Sequence, residues 1–413
     1  MKGFNSKLIH GKLDNHSDEN FRSLKTPIYD TASYDFKNAE ELEDAFHGRG
    51  NHFAYSRTAN PTVAELQNRL KTMSNAEHCL CVSSGMFAIS SVILSLCDSG
   101  DNILASKYLF GNTYSLFIKT FKSFGIETRF VDFENLEEVQ SHIDSNTRAI
   151  FMEIMTNPQL IVYDFEQVAQ LATQKNIPLI ADNTVLTSYG FPCHQYDIDI
   201  EVISTSKFVS GGATSIGGAV FVHKNTKWEH VPKLKNEFQN FGEDAFIKKI
   251  TPEIFRNMGG CMAPNNAYLK LLGLETLSLR IDKICDNALK AAQFLQNHPK
   301  VKGISYNLLD NSPYNKRTKK YFKENIGGCL IKLELENKQQ AFNFSNALQM
   351  IRRGTNFCDN KSMIIHPAST IYCDYSDEER QEMQIYDGTL RLAIGLEDFS
   401  DIQEDLEQAL DIL

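Results

Sequence analysis

Between residues 78 and 222 short apolar runs alternate with longer segments of helical spacing, and this alternation narrows the possible folds more than any other feature of the chain. The runs at 78–82, 102–105, 127–131, 149–152, 178–181, 200–203 and 219–222 read as strands. Between them, Phe87, Ile89, Val92, Ile93 and Leu96 mark one helix, and 113–124 and 163–175 two more. Strands with little polar alternation are buried on both faces, and helices between them predict a mostly parallel sheet covered by helices. In such a sheet, ligands sit beyond the carboxyl ends of the strands. Those ends carry Phe110, Asn157, Asp182, Ser204, Ser206 and Lys207.

Lys207 stands between hydroxyl residues and a glycine-rich turn, Gly211 to Gly218. A lysine amine forms imines with aldehydes once its pKa is lowered, and the neighbouring hydroxyls suit a phosphate. An aldehyde carrying a phosphate points to pyridoxal 5'-phosphate. By itself the stretch fits equally an ordinary surface lysine before a flexible turn. Asp182, closing an apolar strand, suits either a turn cap or an ion pair with a pyridinium nitrogen. Asn157, before Pro158, is a pre-proline turn residue or an amide donor to a phenolate oxygen. Ser83-Ser-Gly-Met86 joins a strand to a helix N-terminus, where free N–H groups of Gly85 and Met86 can cradle an anion; the same residues also make a plain strand-to-helix turn. Upstream, Asn60 and Pro61 read as the cap and first residue of a helix lined by Val63, Leu66 and Leu70. Tyr55 and Arg57 precede it, either as surface residues or as a phenol and guanidinium gripping a phosphate.

The 413 residues allow two or three domains. The expected division is an N-terminal arm over 1–60 with an exposed loop at 14–20, a large domain over 61–256 and a smaller α+β domain over 257–413. The arm lacks the apolar residues for a core of its own, so it is expected to lie on another surface, such as a second subunit. A net charge of −10 argues against a nucleic-acid partner. No run is long and apolar enough for a membrane span or a signal core, which places the protein in the cytoplasm. The nine cysteines show no CxxC pair, so reduced, mostly buried thiols are expected and a zinc site is not.

The ordered motifs YSRTANPT, SSGM, TNP, ADNT, STSK and TSIGG resemble those of the Cys/Met-metabolism family of pyridoxal-phosphate enzymes, the cystathionine γ-synthase-like group, over nearly the whole chain. The resemblance implies a type I fold, an amino-acid substrate and a homotetramer built from catalytic dimers. It implies Lys207 as the imine-forming lysine, Asp182 as the pyridinium partner and Asn157 as the phenolate contact. Gly85, Met86, Ser204 and Ser206 then face the phosphate, Tyr55 and Arg57 reach the phosphate of the neighbouring subunit, and Arg391 takes the substrate carboxylate. Asn356 stands where many relatives have a carboxylate-binding serine. Three stretches, 241–249, 273–280 and 356–370, are similar to sulfhydrylases that form homocysteine from an O-acylated homoserine and sulfide. Three departures bear on the subgroup. Phe110 replaces the tyrosine that usually stacks on the cofactor, keeping the ring but losing its acidic proton. Asn112 replaces the cysteine typical of methionine γ-lyases. Gly212 stands where a histidine is common. A γ-lyase and a cystathionine synthase remain the alternatives within the family, and a non-catalytic binding module the alternative outside it.

Overall fold

Seven strands, β1 (His78–Val82), β2 (Asn102–Ser106), β3 (Glu127–Val131), β4 (Thr147–Glu153), β5 (Leu179–Asp182), β6 (Ile200–Ile203) and β7 (Gly218–Val222), form one sheet in the order β1-β7-β6-β5-β4-β2-β3 in this computed structural model. The structure describes residues 3–11, 23–50, 52–223 and 227–413, so the loop expected at 14–20 lies outside the described residues. Strands β2 to β6 are all parallel, joined by helical crossovers. After β6 the chain makes only one short helical turn, Phe208–Ser210, before re-entering the sheet, so β7 runs antiparallel to both β6 and β1.

Alternate residues of each strand serve opposite faces. Leu104, Ile150, Met152, Leu179, Ala181 and Ile203 join one buried cluster, whereas Ile103, Ala105, Phe151, Ile180, Ile200 and Val202 join another. The apolar runs lack polar alternation because both faces are covered. A second sheet contains β8 (Gly303–Ser305), β9 (Leu330–Glu334), β10 (Arg352–Arg353), β11 (Met363–Ile365) and β12 (Thr389–Ala393), in the order β10-β11-β12-β9-β8. It is antiparallel except for β10 with β11. The helix Leu277–Gln296 ties the two cores together. Its first half gives Leu277, Ile281, Ile284 and Cys285 to one core, and its second half Ala288, Ala291, Ala292 and Leu295 to the other.

Three elements differ from expectation. The helix read as 113–124 begins earlier, at Gly111–Ser115, and continues as a π-helical turn, Leu116–Phe121, that brings the Phe117 and Phe121 rings to 5.5 Å of each other in the core. The strand read as 149–152 runs on through Glu153, a charged end that the apolar pattern does not reveal. A helix at Pro264–Leu274 precedes the long one; its periodicity is diluted by Asn265, Asn266 and Lys270.

Asn60 caps the helix Pro61–Ser74 as expected, accepting from the Thr62 and Val63 N–H groups at 3.0 and 3.4 Å. Its Nδ2 also donates to Tyr29 O, at 2.8 Å, which ties the N-terminal segment to this helix. Asn60→Ala is expected to lower stability by about 1–2 kcal/mol, the loss of a cap plus a buried bond. A shift of the urea midpoint at unchanged slope checks this.

Candidate active site

The carboxyl ends of β4, β5 and β6 lie side by side because the three strands are parallel neighbours. Four residues beyond β6, Lys207 donates from Nζ to Asn356 Oδ1 at 2.5 Å, and its ammonium stands 4.3 Å from the centre of the Phe357 ring. Burial lowers the Lys207 pKa; Cys358 opposes that fall and the Arg391 charge adds to it. A lowered pKa enriches the neutral amine, the nucleophilic form.

Arg391, in the middle of β12, is 1% exposed. Its Nη2 donates to the carbonyls of Thr355 and Asn356 at 2.8 and 3.2 Å, and its Nη1 to Asn157 Oδ1 at 3.3 Å. Its Nε has no partner. Burial lowers its pKa to about 10, which leaves it charged at neutral pH. Among the described residues no carboxylate pairs with it. A buried guanidinium that meets carbonyls, an amide and, 5.2 Å from its centre, the Phe357 ring can receive an incoming anion. Since a guanidinium only donates, it takes the oxygen of the Asn157 amide, and the NH2 of that amide is left for another acceptor.

Two acids close adjacent strands. Asp182 and Glu153 are register partners at the ends of β5 and β4. Asp182 accepts from Thr184 N at 2.9 Å, and burial pushes it up to about 6. Glu153, 6% exposed, accepts from Phe110 N at 2.7 Å and Asn157 N at 3.2 Å. Burial, then the Asp182 charge, pushes it up to about 8. Glu153 was missed from sequence because the expected strand stopped one residue short. Its signal was an acid closing an apolar run, as Asp182 does.

The turn after β1 is built for close approach. Ser84 caps the helix Gly85–Leu96 through Phe87 N at 3.0 Å, which leaves the N–H groups of Gly85 and Met86 uncommitted. A Cβ on Gly85 would lie 2.7 Å from Ser204 Cβ, and one on Gly218 would overlap Ser84 O. Ser206 is differently placed from Ser204: its hydroxyl accepts from Gly217 N at 3.0 Å and donates to Gly217 O at 3.2 Å, stapling the glycine-rich turn. Gly212 has φ +117°, and a Cβ there would overlap the Asn360 amide, so any side chain at this position is strained. Tyr55 and Arg57 do not join the cluster. Tyr55 is 45% exposed, and Arg57 donates to Arg256 O at 2.6 Å beside a groove lined by Tyr34, Phe36, Leu42 and Phe46.

The sequence profile of the Cys/Met metabolism PLP-dependent enzymes matches residues 5–411. The chain belongs to this family. It is 32% identical to the homocysteine/cysteine synthase of Saccharomyces cerevisiae, covering 99% of this chain and 97% of that protein. It is 33% identical to an L-methionine gamma-lyase of Fusobacterium nucleatum, covering 99% and 98%. A solved structure of a putative O-acetylhomoserine (thiol)-lyase from Campylobacter jejuni, which carries an N'-pyridoxyl-lysine-5'-monophosphate, superposes with a TM-score of 0.94 at 35% identity, over 99% of this chain and 100% of that one. The fold is accordingly that of a pyridoxal-phosphate-dependent enzyme of this family, and the cofactor is pyridoxal phosphate. The donor set fits such a group. Two neighbouring acids lack a cation, an amide offers free N–H groups, a helix start offers two more, and a lysine amine is biased toward neutrality.

The raised acids make the cofactor-free protein pH-sensitive. Between about pH 4 and about pH 6 folded Asp182 keeps a proton that the unfolded chain has lost. Its contribution to stability is complete below about pH 4 and is lost as pH rises through about 6. Urea midpoints of the cofactor-free protein should fall across this window, and Asp182→Asn should flatten the fall.

Proposed function

We propose that the chain catalyses γ-replacement on an O-acylated homoserine, O-acetyl in preference to O-succinyl, with sulfide as the incoming nucleophile and homocysteine as the product. The observation that carries the amino-acid part is Arg391, a buried cation whose partners among the described residues are all neutral. The relatives named for homocysteine synthesis and for O-acetylhomoserine support the rest. Phe110 supports an ester substrate in particular. It offers no acidic proton, and a carboxylate leaves from Cγ without needing one.

In this reading Asp182 holds the protonated ring nitrogen of the cofactor, Asn157 donates to its phenolate oxygen, and Phe110 stacks on its ring. Gly85, Met86 and Ser204 hold its phosphate, and Ser206 joins them only by giving up its bond to Gly217 O. Bound, the cofactor supplies an electron sink for charge developing at Cα. Arg391 fixes the substrate carboxylate and so aims the Cα–H bond. The Lys207 amine takes the Cα proton and moves protons between Cα and Cβ. Asn356, which accepts from Lys207 Nζ, ties that amine to the loop whose carbonyls hold Arg391. In the net change the Cγ–O bond breaks, acetate leaves with its electron pair, and the sulfide electron pair forms the Cγ–S bond.

The proposal extends to assembly. Of the expected arm, the segment at 34–57 packs on a neighbouring subunit, where Tyr55 and Arg57 complete that subunit's phosphate site, whereas Leu8 is buried in this chain's own core; catalytic dimers pair into a homotetramer around the 61–256 and 257–413 domains. The exposure of Phe46, at 80%, and the apolar groove beside Arg57 support this. All nine thiols are free, which supports a reducing compartment such as the cytoplasm. Among the described residues no helix is long and apolar enough to cross a membrane.

The deciding assay incubates the yellow holoenzyme with O-acetyl- or O-succinyl-L-homoserine, with and without sulfide. Sulfide-dependent homocysteine with little 2-oxobutanoate is expected. Equal 2-oxobutanoate in both tubes, or its release from methionine, would instead make the protein a γ-lyase like its Fusobacterium relative. Lys207→Ala should lose the visible absorbance of the lysine-bound cofactor and at least about 100-fold of turnover. Arg391→Lys, which loses the planar fork, should raise KM for the acylhomoserine about 10- to 100-fold, as read from initial rates.

A further inference from the structure

We infer that Glu153 is a positioning residue of the active site: its single carboxylate holds the loop presenting the Phe110 ring and the loop presenting the Asn157 amide in fixed relation, and through Asn157 it sets the guanidinium of Arg391. The inference rests on membership of the pyridoxal-phosphate family and not on which γ-reaction follows.

Strands β2 and β4 are parallel neighbours, so the loops leaving their carboxyl ends run side by side. Each loop turns one backbone N–H toward the space between them. Glu153 fills that space, with Oε1 on Phe110 N at 2.7 Å and Oε2 on Asn157 N at 3.2 Å. Behind it, Tyr372 touches the same two loops from the opposite polarity, its hydroxyl donating to Leu109 O at 3.1 Å or to Asn157 O at 3.2 Å. Both loops are therefore tied through an N–H and through a carbonyl. The tie matters for the site because of what the loops carry. The N–H of Phe110 fixes the backbone from which its ring projects. The N–H of Asn157 belongs to the residue whose Oδ1 is, among the described residues, the only side-chain acceptor of Arg391.

A fold-stabilising role alone does not explain the choice of residue. A carboxylate buried beside Asp182 is electrostatically unfavourable, and the repulsion adds to the burial that raises its pKa. What the carboxyl group provides is two oxygens in one plane, each placed to accept from one of the two N–H groups, since even when protonated its hydroxyl oxygen keeps acceptor capacity. Glutamine offers one acceptor and places an NH2 donor against the other N–H. Aspartate keeps the two oxygens but is one methylene too short to reach both loops. Polar groups retained at such a cost concentrate at functional sites.

The test compares Glu153→Gln and Glu153→Asp with wild-type holoenzyme. Three quantities are measured: the visible absorbance of the bound cofactor, its shift on titration with O-acetyl-L-homoserine without sulfide, and kcat and KM with sulfide. Release of one loop should displace the cofactor absorbance maximum and weaken the amino-acid-induced shift about 10-fold. It should also lower kcat/KM about 10- to 100-fold, mostly through KM, as Arg391 loses its fixed partner. Wild-type spectrum, titration midpoint and KM in either folded variant would overturn the inference, whatever happens to its melting temperature. Glu153→Asp keeps the charge in place should Glu153→Gln fail to fold. The absorbance measurements need only the cofactor, so they judge Glu153 even if wild type makes no homocysteine.

Discussion

The parallel pairing of β4, β5 and β6 is the constraint on which everything else in this molecule depends. Each strand is only four to seven residues long and buried on both faces, so each must end where its neighbours end. Polar residues excluded from the sheet collect at that edge, and in parallel strands every carboxyl end falls on the same side. Asn157, Asp182 and Lys207 thereby arrive together from three separate stretches of chain. The short return to β7 folds the glycine-rich turn back over the same edge, where Ser206 staples it and Gly218 lets it touch Ser84.

The second sheet supplies what the first cannot. A bundle of acids, an amide and an amine at one edge binds a cofactor but gives no grip on an amino acid. Strand β12 brings Arg391, and the loop before β11 brings Asn356. Both reach the first sheet's residues directly, Arg391 through Asn157 and Asn356 through Lys207. The helix Leu277–Gln296, shared between the two cores, keeps the sheets from separating. Among the described residues no carboxylate pairs with Arg391 and no lysine or arginine pairs with Asp182 or Glu153, so charged ligands can be met there without breaking an ion pair within the chain.

Glu153 holds Phe110 through its backbone N–H, so the contact does not depend on the side chain that stands there. In the proposed reaction the leaving group departs unprotonated, and that reading asks for no acidic proton from this side chain.

The sequence by itself determined the mostly parallel sheet, the Asn60 cap and Lys207, Asp182 and Asn157 as candidates, and its resemblance to the family added Arg391. The former follow from periodicity and turn chemistry carried by residues within a few positions of each other, the latter only from the order of motifs along the chain. It did not reveal Glu153, because one charged residue after an apolar run looks like a strand end and nothing more. Only the tertiary structure decided that Glu153 joins two loops, that Ser206 staples a turn while Ser204 stays open, that Tyr55 and Arg57 stand away from Lys207, and that Asn356 meets the lysine amine. The reason is physical. These contacts join residues as far as 149 positions apart, and their geometry is fixed by strand register and by the packing of two sheets, neither of which local sequence encodes.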